Sequence, residues 1–461
     1  MNKKFFALKS LALLMLFASV GVQARNTDYE VLSADTASVK SCKSGCCCAA
    51  NSRELLDKLW QLKQVSHADR LETQLYKEKY VVQFTQQVDP QDGSKGTFRQ
   101  RVIVCHRGFD RPTVLVTEGY WATYALRPGY EEELSKILDA NVVCVEDRYF
   151  AESTPDPCDW DCLTVANSLN DLHEIVTAFK AIYTGKWIST GISKGGQTTM
   201  FYRAYYPDDV DVSVPYVTPL NTALEDKRPA KFISDKVGTA EERQRVKDFQ
   251  TELLKRRATL VPIFEKYCKE KGYEFRLPIG QIYDLDVMEF SFALWQWGTP
   301  VGQLPALTSD DDTLFKYFIG ICEPDYFSTS TIFNSFNIQA ARELGYYAYD
   351  LKPFLKYTEM KDAKDYMHRV MLAPEHSNVK FDKTLYNYTR KFLEQNDPKM
   401  IYIYGDIDPW GACGVNTWLD TSKKKNLKVY VCPRGSHSTR INTFEEKTRD
   451  EIIGLLKSWL E

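Results

Sequence analysis

Ser193 stands in the run Gly191-Ile192-Ser193-Lys194-Gly195, extended by Gly196, between an apolar stretch ending at Thr190 and a segment of helical character. A Gly-x-Ser-x-Gly run at a strand-to-helix turn makes a nucleophile elbow. The serine is held in a strained turn, the glycines keep neighbouring elements from colliding, and the helix N-terminus favours developing negative charge. The bare pattern also describes an ordinary glycine-rich connection, so its position between strand and helix gives it chemical meaning. A serine hydroxyl is inert without a base, so a histidine and an acid must accompany it. Of six histidines, His67, His106 and His173 precede the elbow, and His368 and His376 lie in or beside a helical block. His437 alone follows a late strand, in the loop Pro433-Arg434-Gly435-Ser436-His437-Ser438, where open α/β sheets build their sites.

The acid belongs at the end of the preceding strand, where Gly405-Asp406-Ile407-Asp408-Pro409-Trp410 offers two carboxylates. Asp408 is preferred because Pro409 fixes the turn after it and its distance beyond the strand leaves room to turn back. Asp406 remains the alternative. The chain order Ser193, Asp408, His437 is that of the α/β-hydrolases. Two backbone N–H groups must then face the developing oxyanion. They are expected from Lys194, directly after the serine, and from Gly119 in the loop Thr117-Glu118-Gly119-Tyr120 after the third strand.

The elements that must position these residues follow from periodicity. Glu78–Val88 and Thr97–Cys105 read as a hairpin around Asp89-Pro90-Gln91-Asp92-Gly93. Short apolar strands at Thr113–Thr117, Asn141–Val145, Lys186–Thr190 and Val212–Val217 alternate with helices at Gly129–Leu138, Thr164–Tyr183 and after Ser193, which argues a mostly parallel sheet. Asn51–Val65 has helical periodicity. From about 220 to 380 the rhythm stops. Glu241–Lys271 reads as one long amphipathic helix, with shorter ones at Val287–Trp297, Asp311–Ile321 and Phe333–Leu344. Alternation resumes at Met400–Tyr404, Leu427–Val431 and Phe444–Leu460. The expected organisation is therefore an α/β-hydrolase sheet in two parts, 51–219 and 381–461, with a helical lid inserted at 220–380.

The chain has 461 residues, 44% hydrophobic and 26% charged, as folded globular proteins do. Its 59 basic and 62 acidic residues give −3, and no basic stripe appears, which argues against nucleic-acid binding. Aromatics are abundant (24 Phe, 27 Tyr, 9 Trp), as an aromatic-lined core or pocket requires. Residues 1–24 have a basic start, an apolar stretch interrupted by Lys9 and small residues before Arg25. They are expected to be a secretory signal cleaved after Ala24, making the product secreted or periplasmic with no membrane span. Losing Lys3, Lys4 and Lys9 with that segment takes the formal charge from −3 to −6. Residues 25–50 form a linker carrying Cys42, Cys46, Cys47 and Cys48, read as a tail with local or intermolecular disulfides rather than a metal site. Cys158 and Cys162 are expected to form a local disulfide, and Cys105, Cys144 and Cys432 to be buried thiols. Neither a His-Glu-x-x-His motif nor a glycine-rich phosphate loop is present, so no metal or nucleotide cofactor is expected.

Several stretches are similar to the exported bacterial prolyl tri- and tetrapeptidyl aminopeptidases, serine peptidases related to lysosomal Pro-X carboxypeptidase and dipeptidyl peptidase II. They are Glu146-Asp147-Arg148-Tyr149-Phe150, Ser153-Thr154-Pro155, Leu163-Thr164 leading into Asn167–Asp171, the elbow at Ser193, and Asp408-Pro409-Trp410. The resemblance runs from about Tyr80 to the C-terminus. Lys194 and Gln197 depart from it, where the lysosomal relatives carry an aromatic and an apolar residue. It implies a secreted exopeptidase that releases short peptides from free N-termini with a preference for proline. Such an enzyme needs an apolar pocket, for which Trp410 is a wall, and a carboxylate for the substrate ammonium, for which Glu118 and Glu146 are candidates. A structural ion pair is the plainer role for Glu146, for instance with Arg148. If neither carboxylate serves, the ammonium is read in the lid, where Phe292, Trp295, Trp297 and Tyr326 line the site or form the lid's own core. An esterase or lipase on the same fold, or a non-catalytic binding protein, are the alternatives. The sequence leaves open the length released, the cysteine pairing and the oligomeric state.

Overall fold

The computed structural model describes residues 54–461; the expected leader at 1–24 and the cysteine-rich segment at 25–50 lie outside them. A nine-stranded sheet is laid out in the order β1-β2-β3-β5-β4-β6-β7-β10-β11. These strands are β1 (Val65–Arg70), β2 (Glu78–Gln87), β3 (Thr97–His106), β4 (Thr113–Thr117), β5 (Asn141–Val145), β6 (Trp187–Ile192), β7 (Val212–Tyr216), β10 (Met400–Gly405) and β11 (Leu427–Cys432). Pairing is antiparallel from β1 to β5 and parallel from β5 to β11. The hairpin β2–β3 pairs Glu78 with His106 through to Gln87 with Thr97.

Every residue of β4, β5 and β7 is buried. Val114, Val142, Ile188, Val214 and Ile403 share one core with Leu134, Ile452, Leu456 and Trp459 from the helices Glu133–Leu138 and Glu446–Leu460. The alternate positions Leu115, Val143 and Ser189 are also buried, so both sheet faces are covered, as parallel strands require. Strand order reverses between β4 and β6, and their carboxyl ends carry Gly119 and Ser193 side by side. Residues 56–461 form one compact unit.

Between β7 and β10 the chain is mainly helical: Arg228–Asp235, Ala240–Lys255, Arg257–Lys271, Ile279–Trp297, Asp311–Ile321, Asn334–Gln339 and Thr384–Gln395. A short parallel pair, β8 (Glu225–Asp226) and β9 (Tyr346–Tyr347), ties its start to the stretch that follows Asn334–Gln339. The expected single helix over Glu241–Lys271 is two. It breaks at Arg256, whose guanidinium holds the carbonyls of Leu307 and Ser309 and the carboxylates of Glu252 and Asp311. The expected helix over Asn51–Val65 is described only for Glu54–Leu59, and Val65 already begins β1.

All eight cysteines among the described residues are free thiols. The expected Cys158–Cys162 bridge is absent because the two face different surroundings. Cys158 is exposed, whereas Cys162 packs into a small core with Val88, Phe98 and Tyr149. Among the described residues no helix is long and apolar enough to cross a membrane.

Candidate active site

Ser193 joins β6 to the helix Lys194–Tyr205 with φ 58° and ψ −117°, a conformation that costs a non-glycine residue about 1–3 kcal/mol. Its N–H donates to the Tyr216 carbonyl at 3.0 Å, and its own carbonyl accepts the first helical bond from Gln197 at 2.9 Å. Those bonds hold the strained turn. The surrounding glycines are required by contact. A Cβ on Gly195 would lie 2.7 Å from the Thr117 carbonyl, and one on Gly191 or Gly196 would strike backbone directly. A Cβ on Gly119 would lie 2.6 Å from Gly195 N, so the loop after β4 lies against the elbow. Lys194 opens the helix, so its N–H has no acceptor within that helix. Ser193 is half-buried beside the exposed Ile192, and its hydroxyl makes no hydrogen bond within the described residues.

The histidine and acid are brought together by two loops joined through their backbones. Asp406 N–H donates to Cys432 O at 3.1 Å and Ile407 N–H to Gly435 O at 3.0 Å. Gly405 packs so closely on Gly435 that no side chain fits between them. In this frame His437 Nδ1 meets Asp408 Oδ2 at 2.7 Å, both groups being buried. The other Asp408 oxygen accepts the Trp410 N–H at 3.1 Å. Asp406 is exposed and makes no bond to the histidine. The His437 backbone N–H donates to the Gln296 carbonyl at 2.8 Å, and Trp297 stands edge-on to the imidazole at 6.0 Å. That helix stops at Gly298, at φ 69°, where a Cβ would come within 2.9 Å of Ser436.

The other histidines are engaged locally. His106 bonds to Tyr183 and burial lowers its pKa to about 4; His173 bonds to Asp209 and stacks on Tyr206; His368 bonds to Asp365; His67 bonds to Asp69; His376 stands edge-on to Trp160.

Of the two glutamates considered for an ammonium, Glu146 is sealed in. Its oxygens accept from Arg101 at 2.9 Å, Ala122 N at 2.9 Å and Ser153 at 2.8 Å, and it is fully buried. Its partner is Arg101, because Arg148 is held bidentately by Asp171 at 2.7 Å. Glu118 is half-buried and accepts the Tyr124 hydroxyl at 2.6 Å. Burial raises its pKa, opposed by Tyr124 and by the neighbouring Lys194 charge. The Lys194 side chain turns inward, meets Asp147 at 2.5 Å and lies over the rings of Tyr120 and Phe150. Trp410 is buried and stands edge-on to Phe292, Tyr346 and Tyr347. Trp295 instead packs against Gly238 inside the helical segment.

A family model described as PS-10 peptidase S37 matches residues 50–446. The chain belongs to the peptidase S37 family. It is a serine-type peptidase with the α/β-hydrolase fold that the strand order and elbow display. It is 28% identical over 389 residues to the prolyl tri/tetrapeptidyl aminopeptidase of Streptomyces mobaraensis, covering 82% of this chain and 79% of that protein. Among solved structures it is similar to a proline iminopeptidase of Mycobacterium smegmatis, at 11% identity and a TM-score of 0.37 over 86% of this chain and 99% of that one. It is also similar to an esterase of Pyrococcus furiosus, at 12% identity and a TM-score of 0.33 over 86% and 92%. Likeness at that level says nothing about the substrate of this S37 peptidase.

Neither motif nor periodicity singles out an acid on the helix Ile279–Trp297. Yet Asp284, Asp286 and Glu289 interrupt its otherwise apolar run.

Proposed function

We propose that this peptidase releases short peptides from the free N-termini of oligopeptides, with a preference for proline before the cut, through an acyl-enzyme on Ser193. Ser193 Oγ attacks the scissile carbonyl while His437 Nε2 takes its proton and then hands it to the leaving amine. Asp408 fixes the imidazole through Nδ1–H and stabilises the imidazolium that forms. The N–H groups of Lys194 and Gly119 receive the oxyanion. Water, activated by the same histidine, releases the acyl fragment. Trp410 with Tyr346 and Tyr347 forms the flat apolar wall on which a proline ring packs, and the helical segment excludes folded chains. The chain is exported, its leader ending at Ala24. The observation that carries this reading is the buried His437–Asp408 bond beyond the same sheet edge as the strained Ser193 turn.

The test offers the purified protein peptides varied at the second to fourth residue, with free or acetylated N-termini, and reads products by mass. Cleavage indifferent to acetylation ends the aminopeptidase reading. Hydrolysis of simple esters with no peptide product favours an esterase, and failure to react with a fluorophosphonate favours a non-catalytic protein.

A further inference from the structure

We propose that Glu289 is the group that binds the substrate's N-terminal ammonium, and that its distance from His437 sets a released fragment of about three residues. This inference rests on the aminopeptidase reading and deepens it.

One face of the helix Ile279–Trp297 runs from the histidine to this glutamate. Gln296 takes the His437 N–H on its carbonyl, Phe292 meets Trp410 at 5.3 Å, and Glu289 stands one turn further back. Steps of four and three residues keep a common face. At 1.5 Å per residue the seven positions from Gln296 to Glu289 span about 10 Å. An extended peptide covers about 3.3–3.6 Å per residue, so three residues bridge the same interval.

Glu289 is held as an acceptor and lacks a counter-ion. The hydroxyls of Tyr347 and Tyr349 both donate to its Oε2 at 2.7 Å, whereas Oε1 takes no hydrogen bond among the described residues. A relay of hydroxyls ends on it. Tyr326 donates to Tyr346 at 2.6 Å, Tyr346 to Tyr347 at 3.3 Å, and Tyr347 to the carboxylate. No Lys, Arg or His pairs with Glu289 among the described residues. One turn earlier, Asp286 is fully buried with neither carboxylate oxygen hydrogen-bonded; burial above all, and then the nearby Glu289 charge, raise its pKa. Burying a carboxylate without a cation is among the costliest arrangements a fold can hold. The half-buried Glu289, with this second acid behind it, makes a site that an incoming ammonium would complete. Aromatic faces beside it add cation–π attraction. Glu146 is already satisfied by Arg101, and Glu118 accepts the Tyr124 hydroxyl beside the Lys194 charge. Glu289 is therefore the acid near Trp410 whose cation is missing.

The experiment compares Glu289→Gln with the wild-type protein on matched tripeptidyl anilides with free and acetylated N-termini. Gln keeps an acceptor for both tyrosines, and labelling by a fluorophosphonate verifies that the variant is folded. The ratio of kcat/KM values, free over acetylated, is expected to fall at least 30-fold, mostly through KM, and Glu289→Asp is expected to recover part of it. A wild-type ratio near one would overturn the aminopeptidase reading itself. A high wild-type ratio that survives in Glu289→Gln would overturn the assignment of Glu289 alone. Dipeptides as the main wild-type product would overturn the length argument.

Discussion

The Gln296 carbonyl receives the backbone N–H of His437 at 2.8 Å. The loop that carries His437, the proposed general base, is thus fastened to the end of a helix from the segment between β7 and β10. Placement of the base depends on how that helix terminates. Gly298 ends it at positive φ with Ser436 against its Cα. Gly298→Ala combines left-handed strain with a push on the histidine loop. Turnover is expected to drop about 10- to 100-fold, the scale of an ångström-sized misplacement, with little change in KM. Steady-state kinetics beside a thermal melt tests this, and unchanged kcat would show that the loop is positioned independently.

Ser193→Ala should lose at least about 10⁴-fold in kcat while keeping its melting temperature, since the hydroxyl makes no internal bond. Asp408→Asn should lose a similar amount by leaving the imidazole in the wrong tautomer. Asp406→Asn should stay within about threefold, as expected of an exposed group away from the chemistry. The reverse ranking of the two aspartates would move the acid to Asp406.

Lys194 and Asp147 form an ion pair with both side chains buried, 3% and 5% exposed. Lys194→Met strands the aspartate and is expected to cost about 3–5 kcal/mol, read as a shift in urea midpoint. The double variant Lys194→Met/Asp147→Leu is expected to regain most of that loss, because a well-packed apolar pair avoids the desolvation penalty. If the double variant is no better than the single, the pair's value lies in the other Asp147 contact, the Arg148 N–H.

Burial raises the Glu289 carboxyl from 4.5 to about 7. Around it stand the hydroxyls of Tyr347 and Tyr349, Asp286 on its own helix, and Tyr326, Tyr346 and Tyr366; burial pushes all these phenols up and keeps them neutral. Between the ordinary carboxylate range and pH 7 the folded state binds more protons than the unfolded chain. Stability therefore falls as pH rises through that window, and the penalty is complete above it. Glu289→Gln is expected to be more stable than wild type by about 1–3 kcal/mol at pH 8 and equal to it near pH 4, by urea unfolding. The free-over-acetylated activity ratio of the wild type should fall below about pH 7 as Glu289 takes a proton, and above about pH 8 as the substrate amine loses one. A flat ratio from pH 5 to 9 contradicts both halves.

The sheet was legible where strands are buried on both faces. Thr113–Thr117 and Asn141–Val145 are continuous apolar runs and appear with the expected bounds. β1 escaped because Val-Ser-His-Ala-Asp-Arg is an edge strand with little buried surface, so no alternation marks it. The helix break at Arg256 escaped because its cause is a contact with residues about fifty positions away. Ser193, Asp408 and His437 could be singled out because each follows the carboxyl end of a strand. The surroundings of Glu289 could not, because Tyr347 and Tyr349 lie 58 and 60 residues downstream.

The two loops that bring His437 to Asp408 are joined by main-chain atoms: Asp406 N–H to Cys432 O and Ile407 N–H to Gly435 O. Ile407 and Cys432 are buried and Arg434 is paired with Glu242, but the exposed Asp406 side chain is a spectator to the alignment and free to drift during evolution without unseating it. Gly405 is not, because its bare Cα is what lets the loops approach. A saturation library across 405–407 and 432–436 should record this as an asymmetry. Active clones will carry many residue types at Asp406, and glycine alone at 405.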